Sequence, residues 1–252
     1  MLTNISFKNS RKQTLRGILH EPKKYDTAIL FLHGFPSNIE GFTTTRLSKT
    51  IEKTNYLFMA FNFSHTLNSD GKFEEKLLSN ELKDIKAAID FLESNYKYTQ
   101  LVVVGHSTGA INIALYAHKD KRIDKIVLIA SSGELKHAVQ YEFTPLQVRE
   151  FWMKGYATYN RPGKWYHKKR IKKAYYDEFF TLDILGSLHK FNGPVLIIHP
   201  EKDQHIPITD ARDLFTAATK PKKLVIIKGA DHQLRETKHF RKLCKYLETF
   251  IQ

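Results

Sequence analysis

The chain has 252 residues, 42% of them apolar and 12% aromatic, enough for a sizeable core and too apolar for a disordered polymer. Forty Lys and Arg against 26 Asp and Glu leave +14 with His neutral. This admits nucleic acid, anionic membrane or acidic substrates as partners, but a chain rich in Lys, Asn, Ile, Phe and Tyr reaches that charge without any such partner. The one cysteine, Cys244, excludes an intramolecular disulfide, and no run of 18 apolar residues is available for a membrane span.

In chain order, Ile5 to Glu21 alternates and turns near Asn9-Ser10, which predicts an antiparallel pair at a sheet edge. Apolar runs follow at 28–32, 56–61, 101–104, 126–129, 195–198 and 224–227. They do not alternate, which suits parallel strands buried on both faces. Helical spacing fills the intervals at 79–96, 108–118, 210–218 and 236–250. The alternation predicts a single doubly wound α/β domain over residues 1–252. No strand pattern is visible between Ala130 and Pro194. That stretch, roughly 131–192, is expected to form a small helical cap over the C-terminal edge of the sheet, where open α/β sheets bind ligands. The first residues carry no signal-like apolar run, so a cytoplasmic location is expected.

Chemistry concentrates at three strand ends. Gly105-His106-Ser107-Thr108-Gly109 is a G-x-S-x-G run between a strand and a helix. A serine on so sharp a turn is exposed, and the helix N-terminus beside it favours a developing oxyanion. The chain here resembles the α/β-hydrolase superfamily, in the order of its elements over nearly its whole length. That resemblance implies a serine hydrolase with Ser107 as nucleophile. His33-Gly34-Phe35 matches the family's oxyanion loop, which implies N–H donors from Phe35 and Thr108. His33 itself is expected to be a structural hydrogen-bonder. Asp203 takes the family's acid position after the strand at 195–198, with Glu201 as its rival. His232, in Gly229-Ala230-Asp231-His232 after the last strand, takes the base position, with His205 as its rival.

Asn68-Ser69-Asp70-Gly71-Lys72-Phe73 and the His-Gly-Phe loop further resemble small bacterial cinnamoyl and feruloyl esterase-like hydrolases. Phe61-Asn62-Phe63-Ser64-His65 departs from that group's D-x-R-G-H-G. The implied activity is cleavage of a small-molecule carboxylic ester through an acyl-enzyme. A thioesterase or serine peptidase of the same fold would carry the same triad. The expected cap places Trp152 and Trp165 against substrate. Arg161 to Lys173 interleaves basic and aromatic residues, which keeps open a non-catalytic protein that binds nucleic acid. A solvated cap face is the preferred reading of that run. No metal-ligand spacing and no dinucleotide fingerprint is present, so neither a metal nor a cofactor is expected.

Overall fold

The computed structural model describes residues 1–252. Eight strands form the main sheet: β1 (Leu2–Lys8), β2 (Thr14–His20), β3 (Thr27–Leu32), β4 (Leu57–Phe61), β5 (Gln100–His106), β6 (Lys125–Ile129), β9 (Val195–Pro200) and β10 (Lys222–Ile227). Their order in space is β1-β2-β4-β3-β5-β6-β9-β10. β1 pairs antiparallel with β2, and β2 antiparallel with β4; every other pairing is parallel. β1 and β2 are the alternating pair expected at a sheet edge, and the other six strands coincide with the six apolar runs.

The runs lack alternation because both faces of the sheet are covered. In β5, Leu101 and Val103 enter one core while Val102 and Val104 enter the other. The first core lies under α2 (Leu78–Asn95), α3 (Thr108–Tyr116), α7 (Ile184–His189) and α8 (Ile208–Ala217). The second lies under α1 (Phe42–Ile51) and α9 (Thr237–Ile251). α1 escaped the sequence reading. Its three consecutive threonines hide the helical spacing, and only Leu47 and Ile51 reach the apolar core.

From β3 the chain moves outward to β4, then crosses back to β5 on the other side of β3. The connections therefore diverge between β3 and β5. The crevice at their carboxyl ends is where such a sheet offers a ligand site. The His33-Gly34-Phe35 loop follows β3 and Ser107 follows β5, so the topology brings these two motifs together.

The cap departs from an all-helical insertion. It comprises α4 (Leu135–Glu142), α5 (Pro145–Lys154), a two-stranded ribbon of β7 (Tyr156–Thr158) and β8 (Arg170–Lys172), and α6 (Lys173–Glu178). Three-residue strands are too short to leave a periodic signal. Thr144 and Gln147 form a capping box at the start of α5, and Gly155 closes it in the left-handed region. α7 belongs to the body, packing on α3 and α8. The cap is fastened firmly. Phe143, Phe151, Tyr175, Tyr176 and Phe179 are buried and continuous with the first core. The carboxylate of Glu178 accepts the backbone N–H groups of Leu78 and Ser79, capping α2 from the cap side. No helix is long and apolar enough to cross a membrane.

Candidate active site

Ser107 is held at φ 54°, ψ −123°, in a region that L-residues avoid. Two glycines make the turn sterically possible. A Cβ at Gly105 would collide with the carbonyl oxygen of Gly109, and one at Gly109 with the carbonyl oxygen of Leu32. Glycine is also required at position 34, where a Cβ would lie 2.9 Å from Ser107 Cβ and 3.1 Å from the carbonyl of His106. The close approach sets the Phe35 backbone beside the serine. Thr108 opens α3 on the other side, and the first N–H groups of a helix have no acceptor within it. The expected oxyanion donors are thus neighbours of one hydroxyl.

His232 donates Nδ1–H to Asp203 Oδ2 at 2.7 Å. That bond fixes the tautomer and leaves Nε2 as an acceptor. The Asp203 side chain is 1% exposed. Burial works against its ionised form, but the bond and charge of His232 and the backbone N–H groups of His205 and Ile206 outweigh burial and hold its pKa below the ordinary value. The rivals fall elsewhere. Glu201 is exposed and accepts the N–H of Gly229 at 2.9 Å. His205 stacks edge-on against the His232 ring, 5.0 Å between centroids, and its bond to Asp203 is through backbone rather than imidazole.

The other histidines near the centre are kept neutral. Burial pushes His33 and His106 down to about 4. His33 donates Nδ1–H to the carbonyl of Gly34, shaping the loop. His106 donates Nε2–H to the carbonyl of His232 at 3.0 Å, anchoring the backbone of that residue.

Ser107, Thr108, Phe35 and His232 all line one cavity of about 760 Å³, within the range that holds small ligands. Its inner wall is apolar and largely aromatic, with Phe35, Leu135, Tyr159, Tyr175 and Phe179 among the lining groups. Trp165 also lines it and donates its indole N–H to the carbonyl of Pro36 at 3.0 Å. Trp152 does not. It is 68% exposed on the outer face of α5, covered by Lys173 at 4.2 Å, because α5 turns its buried side, carrying Phe151, toward the cap interior. The expectation that Trp152 contacts substrate is therefore corrected.

Glu142 was missed. It lines the cavity at the end of α4, accepts a hydrogen bond from Tyr159 at 3.3 Å, and burial of its carboxyl pushes its pKa up to about 7. Nothing in the local sequence distinguishes it from a surface glutamate. The basic run is spread out in space. Arg161 and Lys164 line the cavity, while Lys169, Arg170 and Lys173 lie over the rings of Trp165, Tyr156 and Trp152. Those aromatic faces are thus already occupied by the protein's own cations.

The Ser69-Asp70-Gly71-Lys72-Phe73 stretch supports the site. Asp70 accepts the Thr14 N–H, Gly71 sits at φ 106° against His65, and Phe73 stacks on Phe35. In the divergent segment, Ser64 bonds to Asp84, and Arg11 from the β1–β2 turn supplies the cation, reaching Ser64 at 2.7 Å and Asp84 at 3.0 Å.

The sequence pattern of the α/β hydrolase fold matches residues 27–162, more than half of the chain. The mouse mitochondrial palmitoyl-protein thioesterase ABHD10 is 26% identical over 216 residues, covering 82% of this chain and 69% of that protein. The putative esterase/lipase 2 of Mycoplasma genitalium is 27% identical over 134 residues, 52% of this chain and 48% of its own. Among solved structures, ferulic acid-bound Est1E from Butyrivibrio proteoclasticus superimposes with a TM-score of 0.80 at 20% identity, covering 98% of this chain and 99% of that one. The chain belongs to the α/β-hydrolase fold family and is an enzyme of its esterase and thioesterase kind.

Proposed function

We propose that the protein is a serine hydrolase that cleaves carboxylic esters of apolar acyl groups through an acyl-enzyme, with Ser107, His232 and Asp203 as its triad. The observation that carries this reading is the convergence of a strained serine and an Asp203-bound imidazole on one cavity. Ser107 Oγ attacks the acyl carbon as its proton passes to His232 Nε2. The Phe35 and Thr108 N–H groups hold the resulting oxyanion, each donor contributing on the order of 10²–10³-fold. The proton then passes to the leaving alcohol as the carbon–oxygen bond breaks. Water, deprotonated by His232, attacks the acyl-enzyme and releases the acid. Asp203 keeps the imidazole oriented and stabilises its cationic form.

Thioesters are the second reading. The mouse relative is by name a palmitoyl-protein thioesterase, and the aromatic inner wall suits an apolar acyl chain on either an oxygen or a sulfur ester. The test is labelling with a fluorophosphonate probe together with turnover of nitrophenyl butyrate. Wild type should be labelled and active. Ser107→Ala should remain folded, resist labelling and lose about 10⁴-fold or more in turnover. An unlabelled wild type, or an active Ser107→Ala, overturns the reading.

A further inference from the structure

The cavity offers two different surroundings to a substrate. The inner wall is aromatic, and its single acidic group is Glu142. The exposed rim is cationic. Arg161 and Lys164 come from the cap and Arg235 from the loop that carries His232. The two cap cations are held as a unit. The Lys164 N–H donates to the Arg161 carbonyl at 3.2 Å, closing a turn through Pro162 and Gly163, whose φ of 77° suits glycine. The next residue, Trp165, is bonded to Pro36, so this turn is fastened onto the oxyanion loop. Arg161 and Lys164 have no carboxylate in ion-pair range, although the same cap pairs Lys154 with Glu150 and Lys173 with Asp177. Arg235 is partly compensated by Asp231 at 3.0 Å. Two uncompensated cations therefore stand at the mouth of a cavity whose inner wall carries Phe35, Tyr159, Tyr175 and Phe179.

We propose that Arg161 and Lys164, assisted by Arg235, select substrates whose alcohol or thiol half carries an anionic group, a carboxylate or phosphate, at the cavity mouth. The anion belongs on the leaving half for a physical reason. An anion on the acyl half would be drawn against an aromatic wall beside Glu142 and lose its hydration, and the nearest cation there, Lys76, is already paired with Glu81. On the leaving half it stays at the rim, where Arg161 and Lys164 are exposed and the field guides approach. This rests on the acyl-enzyme reading above.

The test compares isosteric pairs. meta-Carboxyphenyl butyrate and meta-carbamoylphenyl butyrate differ only in the charge of the leaving half. Phenyl hydrogen glutarate and phenyl glutaramate differ only in the charge of the acyl half. At about 0.01 M salt, where screening extends over roughly 30 Å, kcat/KM should favour the carboxylate leaving group about 10-fold. The preference should shrink toward unity near 1 M salt. Arg161→Gln/Lys164→Gln should lower the carboxyl-to-carbamoyl ratio several-fold, and the acyl-half pair should show no preference for the anion. Equal rates for the leaving-group pair, a ratio unmoved in the double variant, or a preference for the acyl-half anion each overturn the proposal. Absence of Ser107-dependent turnover of the neutral carbamoyl ester would instead overturn the hydrolase reading.

Discussion

The ammonium group of Lys76 lies 4.4 Å from the centroid of the Phe35 ring. The lysine is 2% exposed, forms an ion pair with buried Glu81, and Glu81 also accepts a bond from Asn112 at 2.7 Å. A buried ion pair thus supports the underside of the residue expected to donate to the oxyanion. Breaking one partner of such a pair costs about 3–5 kcal/mol, whereas replacing both by apolar groups is often neutral. Lys76→Met should lower the urea unfolding free energy by about that amount, and Lys76→Met/Glu81→Leu should recover most of it. If the single variant unfolds with the wild-type midpoint, the pair contributes nothing to the fold.

The strained turn at Ser107 makes a second prediction. A non-glycine residue at φ 54°, ψ −123° costs about 1–3 kcal/mol, and glycine relieves most of it. Ser107→Gly should be more stable than wild type by about 1 kcal/mol while losing turnover. Loss of stability in that variant would mean that the serine side chain holds the turn rather than being strained by it.

Asp203 and Glu201 are two residues apart and only one faces His232. Asp203→Asn should stay folded and lose about 10⁴-fold in kcat, because the amide favours the wrong imidazole tautomer. Glu201→Gln should remain within about twofold of wild type. The reverse pattern would transfer the acid role to Glu201.

Stability should fall on mild acidification. Burial holds His33, His65 and His106 at about 4 in the folded chain, against an ordinary value of 6.5. Between those values the unfolded chain binds more protons than the native one, so unfolding is favoured progressively as pH drops. Glu142, raised to about 7, acts in the opposite direction, since its native carboxyl keeps a proton that the unfolded one has lost. Burial raises Glu81 and Asp84 as well, in the same sense as Glu142, but it also lowers His118, His199 and His205, so the imidazoles outnumber the carboxyls. The unfolding free energy, measured from pH 7 to pH 4, should decline toward pH 4 by several kcal/mol, each imidazole contributing about 1.36 kcal/mol per pH unit between its unfolded and folded pKa. A flat or rising curve would contradict the burial of these imidazoles.

The two tryptophans should separate cleanly. Trp165 lines the cavity and bonds to Pro36, so Trp165→Ala should alter the dependence of kcat/KM on acyl length. Trp152 is largely solvent-exposed, so Trp152→Ala should leave that dependence in place and change stability by about 0.5 kcal/mol or less. A length series of nitrophenyl esters on both variants checks the assignment.

What the sequence by itself determined is local. Six apolar runs marked β3, β4, β5, β6, β9 and β10, because a strand without alternation has only one comfortable environment, and alternation up to Glu21 marked the antiparallel edge pair β1 and β2. Ser107, Asp203 and His232, the proposed triad, stood out in the sequence because each lies in the turn or loop after a strand and sits in a short motif whose glycines are sterically required or whose neighbours repeat the family's pattern. Tertiary structure decided the rest. Which face of α5 is buried separates Trp152 from Phe151, and no local pattern ranks two adjacent aromatics. The ribbon of the cap is too short for periodicity and exists through its pairing across an intervening loop. Glu142, Lys76 and Arg11 are ordinary charged residues in sequence. They become a cavity carboxyl, a buried cation and a bridging guanidinium only when distant segments enclose them, because desolvation and ion pairing depend on neighbours that the linear chain does not name.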